Sequence, residues 1–289
     1  MTRELQEKLE SYQRVWAEVD LDAIWENMVH MKENIAENTK ILAVIKTDGY
    51  GHGGVPIAKM LEQLDFMFGY AAATYEEAHV LREAGVKKPI LILGYTFPYC
   101  YEELIREEIR PAVYRRDTVE ELAAAAAKVG KKAKVHIKVD TGMGRIGITP
   151  DEEGLEFVRF LIEHPELEVE GIFTHFACAD EANEDSDRFT LEQFSRYQKG
   201  VAELEKRGVR FSLHHCCNSA ATMRFPQMHL DMVRPGVALY GHYPDPSCEG
   251  LDGPGLLPVM TLKTRIAAVK ELPAGTPVSY GCTHVLERP

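Results

Sequence analysis

The sequence lacks the features that would tie it to a membrane, a nucleic acid or a metal ion. No apolar run approaches the roughly 18 residues that read as a membrane span. The charged start, Met1-Thr-Arg-Glu-Leu-Gln-Glu-Lys, has no apolar core of the kind a secretory signal needs. Basic residues are in the minority, 33 Lys and Arg against 45 Asp and Glu, for a formal charge of −12. They are scattered among the acids, which argues against the clustered basic face that a phosphate backbone requires. No HxxxH or HExxH is present, so no metal is expected. The six cysteines (Cys100, Cys178, Cys216, Cys217, Cys248 and Cys282) include no CxxC pair. Free thiols in a reducing compartment are therefore expected, and the cytoplasm is the expected location. Adjacent Cys216 and Cys217 read as small strand residues. A small-molecule ligand is the expectation that remains.

What is present is alternation. At 289 residues, 45% of them hydrophobic, the chain can bury one large core. Short β-branched or apolar runs are each followed by a polar helical stretch, as a parallel βα architecture requires. Eight such strands are expected near 40–46, 66–73, 89–95, 110–114, 133–140, 168–176, 210–217 and 231–240. Thr74 with Glu77, Asp117 with Glu120, and Thr149 with Pro150 and Glu152 give the cap-then-glutamate signature of helix starts. AAAAA at 123–127 reads as a good helix. Eight units over roughly 200 residues fit a TIM (β/α)8 barrel better than a doubly wound sheet. The ends depart from the repeat: WAEVDL at 16–21 is strand-like, and 257–289 is β-rich with no helical partner. The expected domains are a barrel over 22–242 and a partial β-rich second domain from 1–21 plus 243–289, joined through the Pro/Gly-rich stretch at 243–258.

In such a barrel the chemistry sits at the carboxyl ends of the strands. The first strand ends ILAVI-Lys46 and runs into a glycine-rich turn, Thr47-Asp48-Gly49-Tyr50-Gly51-His52-Gly53-Gly54. Desolvation at the end of a buried strand disfavours the ammonium, which makes Lys46 a candidate Schiff-base nucleophile. The alternative is a strand-end lysine that snorkels to water. The fifth strand, KVHIKVD, enters Thr141-Gly142-Met143-Gly144-Arg145-Ile146-Gly147, which formally contains GxGxxG. A dinucleotide is not expected there, because Thr149-Pro150 restarts the helix after the glycines instead of within them. Arg145 is a guanidinium on a tight loop, suited to a carboxylate by bidentate pairing. Asn218-Ser219 opening a short helix, with Gly236 after the eighth strand, fits the phosphate site that barrels build from their last two loops.

Taken together, AVIKTDGYGHG, IKVDTGMGRIGI, THFACADE, HCCNSAAT, MVRPGVALYG and VSYG, in that order, resemble the alanine racemases, fold-type III enzymes that use pyridoxal 5′-phosphate (PLP). The resemblance runs from about residue 16 to the end of the chain. It implies that Lys46 carries the cofactor covalently and that Tyr50, Ser219, Gly236 and Val237 surround its phosphate. His175 would lie against the pyridine ring, and Arg234, supported by His215, would donate to the ring nitrogen. Arg145 would orient the substrate carboxylate and the tyrosine base, and Lys138 matches a lysine that is carbamylated in some members. Lys46 and Tyr280 would form the catalytic pair, one on each face of a small amino-acid substrate, in a head-to-tail homodimer that supplies D-alanine for peptidoglycan. An arginine cannot give up its proton, so Arg234 should leave the ring nitrogen unprotonated.

Family members continue well past the VSYG tyrosine, whereas this sequence ends nine residues beyond Tyr280. A fragment or a shortened homologue is therefore expected. Two alternatives stand beside the racemisation of alanine: a serine racemase of the same fold, and a PLP-binding module with little racemase activity. A barrel-type decarboxylase would place an acid where Arg234 stands.

Overall fold

The alternating pattern folds as an α/β barrel in the computed structural model, which describes residues 13–251 and 255–289. Eight parallel strands form one sheet: β2 (Lys40–Val44), β3 (Met67–Ala72), β4 (Ile90–Ile92), β5 (Ile109–Val113), β6 (Ala133–Lys138), β7 (Leu167–Phe173), β8 (Leu213–His215) and β9 (Met232–Val233). Strand β9 returns to β2 with Lys40 opposite Met232 and Ile41 opposite Val233. Between β8 and β9 the ring is completed by single hydrogen bonds, from Asp231 N–H to His214 O (3.2 Å) and from Arg234 N–H to Cys217 O (3.0 Å). Parallel strands covered on both faces need near-continuous apolar sequence, and KILAV and IRPAV supply it. Leu42, Val44, Ala71, Leu91 and Met232 pack as one buried cluster inside the ring.

All eight expected strands occur, with shorter carboxyl ends. The run at 231–240 stays in the sheet only for Met232–Val233, and Val237–Tyr240 forms a 3-10 turn. Pro235 has no N–H to give a neighbouring strand, so pairing stops there. Thr74 caps α3 (Tyr75–Glu83), accepting from Glu77 N–H at 3.4 Å. Asp117 does not cap its helix: Arg115 is the N-cap residue of α5 (Arg116–Val129), and Asp117 lies in the first turn. Thr149 is displaced too, because Asp151 takes the cap of α6 (Glu152–Ile162) by accepting from Gly154 N–H, while Thr149 donates to Asp151. A carboxylate is the stronger acceptor and wins that position. The alanine run at 123–127 lies within α5, with Ala123 and Ala126 buried.

The chain divides into two compact units, Asp20–Val259 and a smaller one made of residues up to Val19 together with Met260–Pro289. The Pro/Gly-rich stretch after 242 thus belongs largely to the barrel unit. Leu257 N–H donates to Asn27 Oδ1 (2.7 Å), Asn27 returns a bond to Leu257 O (2.9 Å), and Cys248 and Val259 are buried. Asp20 ends the strand-like run by capping α1 (Leu21–Glu33).

In the smaller unit β1 (Val15–Val19) pairs antiparallel with β10 (Met260–Thr264), and β11 (Pro277–Val278) with β12 (His284–Val285). Its apolar residues find little cover: Leu262 is 75% exposed, Ile266 83% and Val269 87%. Two-stranded pieces of this kind are marginal on their own.

The closest approach in the sheet sits at Gly69 of β3, where an added Cβ would lie 2.0 Å from Pro89 O. That oxygen accepts from Tyr70 N–H at 2.9 Å, so it cannot retreat without breaking the ladder. Gly69→Ala should destabilise the protein by roughly 2–4 kcal/mol, read as a lower urea midpoint at unchanged slope. A midpoint equal to that of the unchanged chain would contradict the packing described.

Candidate active site

At the carboxyl ends of the barrel strands lies a cavity of about 630 Å3, within the range of small-molecule sites. Its lining contains Lys46, Tyr50, Lys138, Arg145, His175, Asn218, Ser219, Arg234, Gly236 and Val237. Two of the residues singled out in the sequence lie elsewhere. His215 is fully buried behind the cavity, and Tyr280 belongs to the smaller unit, where its side chain is 99% exposed.

Lys46 leaves β2 into an unusual turn. Thr47, Asp48 and Gly49 take φ of 52°, 52° and 61° with ψ of 48°, 52° and 43°, and Tyr50 has φ of 53°. This is one turn of left-handed helix, closed by Gly51 N–H to Thr47 O at 3.0 Å. Three of its residues carry a Cβ, at a cost of roughly 1–2 kcal/mol each, and β-branched Thr47 is the worst suited. The turn is held from outside. Asp48 accepts from Gly54 N–H (2.7 Å), and the Glu77 carboxylate accepts from Thr47 N–H (2.9 Å) and Ala73 N–H (2.8 Å). The result directs Tyr50 toward the end of the neighbouring strand β9: its hydroxyl would sit 3.0 Å from a Cβ at Gly236. Only glycine leaves that space open. Lys46 Nζ stands 5.7 Å from the Tyr50 ring centre.

Beside the approach of Tyr50 to Gly236, Ser219 accepts from Gly236 N–H (2.8 Å) and Ala238 N–H (3.3 Å). Asn218 caps α8 (Ser219–Arg224) through Ala221 N–H at 2.9 Å. Main-chain N–H groups, a hydroxyl and a phenol are thereby gathered at one end of the cavity.

Arg234 is 3% exposed and cannot be neutralised. Both terminal nitrogens are engaged: Nη1 donates to His215 Nδ1 (2.9 Å), and Nη2 to Thr174 O (2.8 Å), Cys216 O (3.1 Å) and His175 Nδ1 (3.3 Å). The Nε–H has no partner among the described residues. Because arginine only donates, His215 accepts at Nδ1 and donates from Nε2 to His136 Nδ1 (2.9 Å). His136 in turn donates from Nε2 to Glu170 (3.1 Å), which also accepts from Arg110 (3.1 Å). Both imidazoles are held below their usual pKa, first by burial and then by the nearby cations, so the chain works with neutral rings. Glu170 would be raised by burial, yet the bonds from His136 and Arg110 outweigh it and hold the carboxyl far below the usual range. His136 and Glu170 were not singled out in the sequence. The signal for His136 was its inward position in the alternation of KVHIKVD.

Two further basic residues, Lys138 and Arg145, line the cavity with His175. His175 is kept neutral first by burial, then by Arg234, Arg145, Lys138 and Lys46. Lys138, 2% exposed, donates to Val139 O at 2.8 Å, and burial followed by repulsion from Arg234 lowers its pKa to about 7. Asp140 accepts from Gly142 N–H (2.9 Å) and Gly144 N–H (3.1 Å), folding the glycine-rich loop back on itself. The helix begins only at Glu152, so the loop offers no dinucleotide turn. Arg145 emerges from it with no hydrogen bond or ion pair among the described residues, free to meet an anion. No group of three or more His, Cys, Asp or Glu residues fit to hold a metal occurs among the described residues.

Residues 19–244 match the family model described as alanine racemase, N-terminal domain. The chain belongs to the alanine racemase family. It is 46% identical over 274 residues to the alanine racemase of Desulforamulus reducens, covering 94% of this chain and 72% of that relative. It is 44% identical over 278 residues to alanine racemase 1 of Oceanobacillus iheyensis, covering 96% and 72%. Among solved structures, the alanine racemase of Clostridium difficile superposes with a TM-score of 0.89 at 38% identity, covering 96% of this chain and 71% of that one. The Bacillus anthracis enzyme with bound L-Ala-P gives 0.83 at 36% identity, covering 96% and 70%. The chain is thus an enzyme of the isomerase class. The relatives' names support alanine as the amino acid racemised and give no support to the serine alternative.

The depressed pKa of Lys138 has a consequence in solution. Between about pH 7 and its ordinary value of 10.5 the unfolded chain holds this proton and the folded chain does not, so the residue's contribution to stability rises with pH. In cofactor-free protein, the stability of the unchanged chain relative to Lys138→Met should increase by about 3–4 kcal/mol from pH 7 to pH 10. Urea unfolding of both proteins at the two pH values measures it. A difference independent of pH would show that Lys138 keeps its proton throughout.

Proposed function

We propose that this chain binds pyridoxal 5′-phosphate through Lys46 and interconverts L-alanine and D-alanine, with Lys46 and Tyr280 as the two bases. The observation that carries the reading is one cavity lined by a strand-end lysine, by a buried arginine with a spare Nε–H, and by an end built of Tyr50, Ser219 and Gly236. The residues fit the cofactor. The close approach of the Tyr50 hydroxyl to Gly236 puts a phenol donor beside main chain at the cavity end that Ser219, Asn218 and Val237 also line, which suits a phosphate, and the cations Lys46, Arg145 and Arg234 suit a phosphate together with a carboxylate.

When bound, the cofactor supplies the electron sink that acidifies the substrate's α-proton. Lys46 would hold the cofactor aldehyde until the substrate amine displaces it, and its freed amine would then exchange the proton on one face while Tyr280 exchanged it on the other. Arg234 would donate from Nε to the ring nitrogen while keeping its proton, and the neutral chain through His215 holds its guanidinium in place. His175 would pack against the ring. Arg145 holds the substrate carboxylate in bidentate fashion, which a lysine could not do, and Lys138 is partly neutral near pH 7 and so open to carbamylation. In this reading the barrel unit, Asp20–Val259, is the cofactor-binding domain, and the smaller unit is the part of a β-rich domain that carries Tyr280. Tyr280, fully exposed in the smaller unit, is available to a second subunit in a head-to-tail homodimer. No helix among the described residues is long and apolar enough to cross a membrane, and we place the enzyme in the cytoplasm, supplying D-alanine for peptidoglycan.

Borohydride reduction followed by peptide mapping should attach the cofactor to Lys46. Tyr280→Phe should bind the cofactor normally and lose a hundredfold or more of its turnover, within the roughly 10²–10⁴ expected for a general base. Label on another lysine, or a Tyr280→Phe variant with full turnover, would refute the assignment.

A further inference from the structure

Glu77 opens α3 with the spacing of a capping box, Thr74 followed three residues later by a glutamate. In that motif the carboxylate reaches back to the N–H of the capping residue itself. Here it does something else. One oxygen accepts from Ala73 N–H, at the carboxyl end of β3, and the other accepts from Thr47 N–H, in the residue bonded directly to Lys46. The helix is capped by Thr74 without it.

Three neighbouring observations give this bridge a purpose. Thr47 is β-branched and sits at φ 52°, a conformation it would leave if nothing held it. Within the turn Thr47 also donates its hydroxyl to Lys46 O (2.7 Å) and accepts at its carbonyl from Gly51 N–H (3.0 Å), but among the described residues none outside the turn other than Glu77 holds it by a hydrogen bond: Gly54 N–H reaches Asp48 and His52 Nδ1 reaches Gly49 O. Ala73 and Lys46 both line the cavity, so a carboxylate bonded to Ala73 and to the residue after Lys46 ties the ends of two strands together where the lysine emerges.

We infer that Glu77 is a positioning residue: its carboxylate holds Thr47 in the left-handed conformation and so sets where the Lys46 amine stands in the cavity. The inference rests on the reading of Lys46 as the cofactor lysine. Glutamine at this position keeps the shape but can accept from only one of the two N–H groups, and its amide turns a donor toward the other. Released from its acceptor, Thr47 relaxes toward negative φ and carries Lys46 with it.

Glu77→Gln should therefore weaken PLP binding about tenfold or more in an absorbance titration and lower the fraction of Lys46 fixed by borohydride. Adding Thr47→Gly should restore both, because glycine takes positive φ freely and no longer needs the clamp. A role confined to helix stability would lower the unfolding midpoint, leave PLP affinity and labelling unchanged, and gain nothing from the glycine. Glu77→Gln with PLP affinity equal to that of the unchanged protein, or a double variant no better than the single one, overturns the inference. If Glu77→Gln does not fold, the double variant decides alone: folding with Lys46 labelled supports the clamp, and any other result overturns it. The unchanged protein separates the two claims. If it is not labelled at Lys46, the functional reading fails and the inference with it, whereas labelling there with an insensitive Glu77 defeats the inference alone.

Discussion

Two residue pairs, Lys40 with Met232 and Ile41 with Val233, join the last barrel strand to the first. Everything at the cavity depends on that join. It is extended by Val44 N–H to Pro235 O at 3.0 Å and by the Tyr240 hydroxyl to Val44 O at 3.1 Å. Beyond these bonds the two strands end in Lys46 and Arg234, residues far apart in sequence that closure makes neighbours across one cavity. Closure also sets Gly236 against Tyr50, so the same few bonds build the polar end of the cavity and the wall beside the lysine.

Burying a guanidinium in a barrel is expensive unless each donor has a partner. Arg234 meets that condition at its two terminal nitrogens, with two carbonyls and two histidines, and leaves only Nε without a partner among the described residues; the compensation continues outward through His136 to Glu170 and Arg110. The direction of donation is fixed along the whole chain, since arginine never accepts. Neutral imidazoles can transmit that orientation without adding charge, and the deep burial of His136 and His215 keeps them neutral. A substitution at either histidine would leave a buried donor or acceptor unmatched, a larger penalty than the loss of one bond.

Much of this was legible in the sequence. Alternation gave the eight strands, because a strand buried on both faces has to be almost continuously apolar, and the strand-end rule then selected Lys46, Arg145, Ser219 and Gly236, while Arg234 entered through the family resemblance. Strand ends were less legible. Pro235 and Gly236 cut the eighth strand short, and a one-dimensional apolar run does not show where pairing stops. Caps failed where a carboxylate competed with a hydroxyl, as at Thr149 and Asp151. The support behind the site was hidden for a different reason. His136 and Glu170 face their partners only once β6, β7 and β8 are side by side, and Glu77 carries the spacing of an ordinary capping box while its carboxylate serves a turn thirty residues earlier.

The claim on which the account stands is that this cavity, loaded with PLP, labilises the α-proton of alanine and returns it to either face. The most direct measurement is to incubate the PLP-loaded chain with L-alanine in deuterium oxide, with L-serine in parallel, and to follow both enantiomers by chiral chromatography and mass. The account predicts D-alanine carrying deuterium at the α-carbon, with alanine turned over faster than serine. PLP fixed on Lys46 without deuterium entering alanine would contradict it.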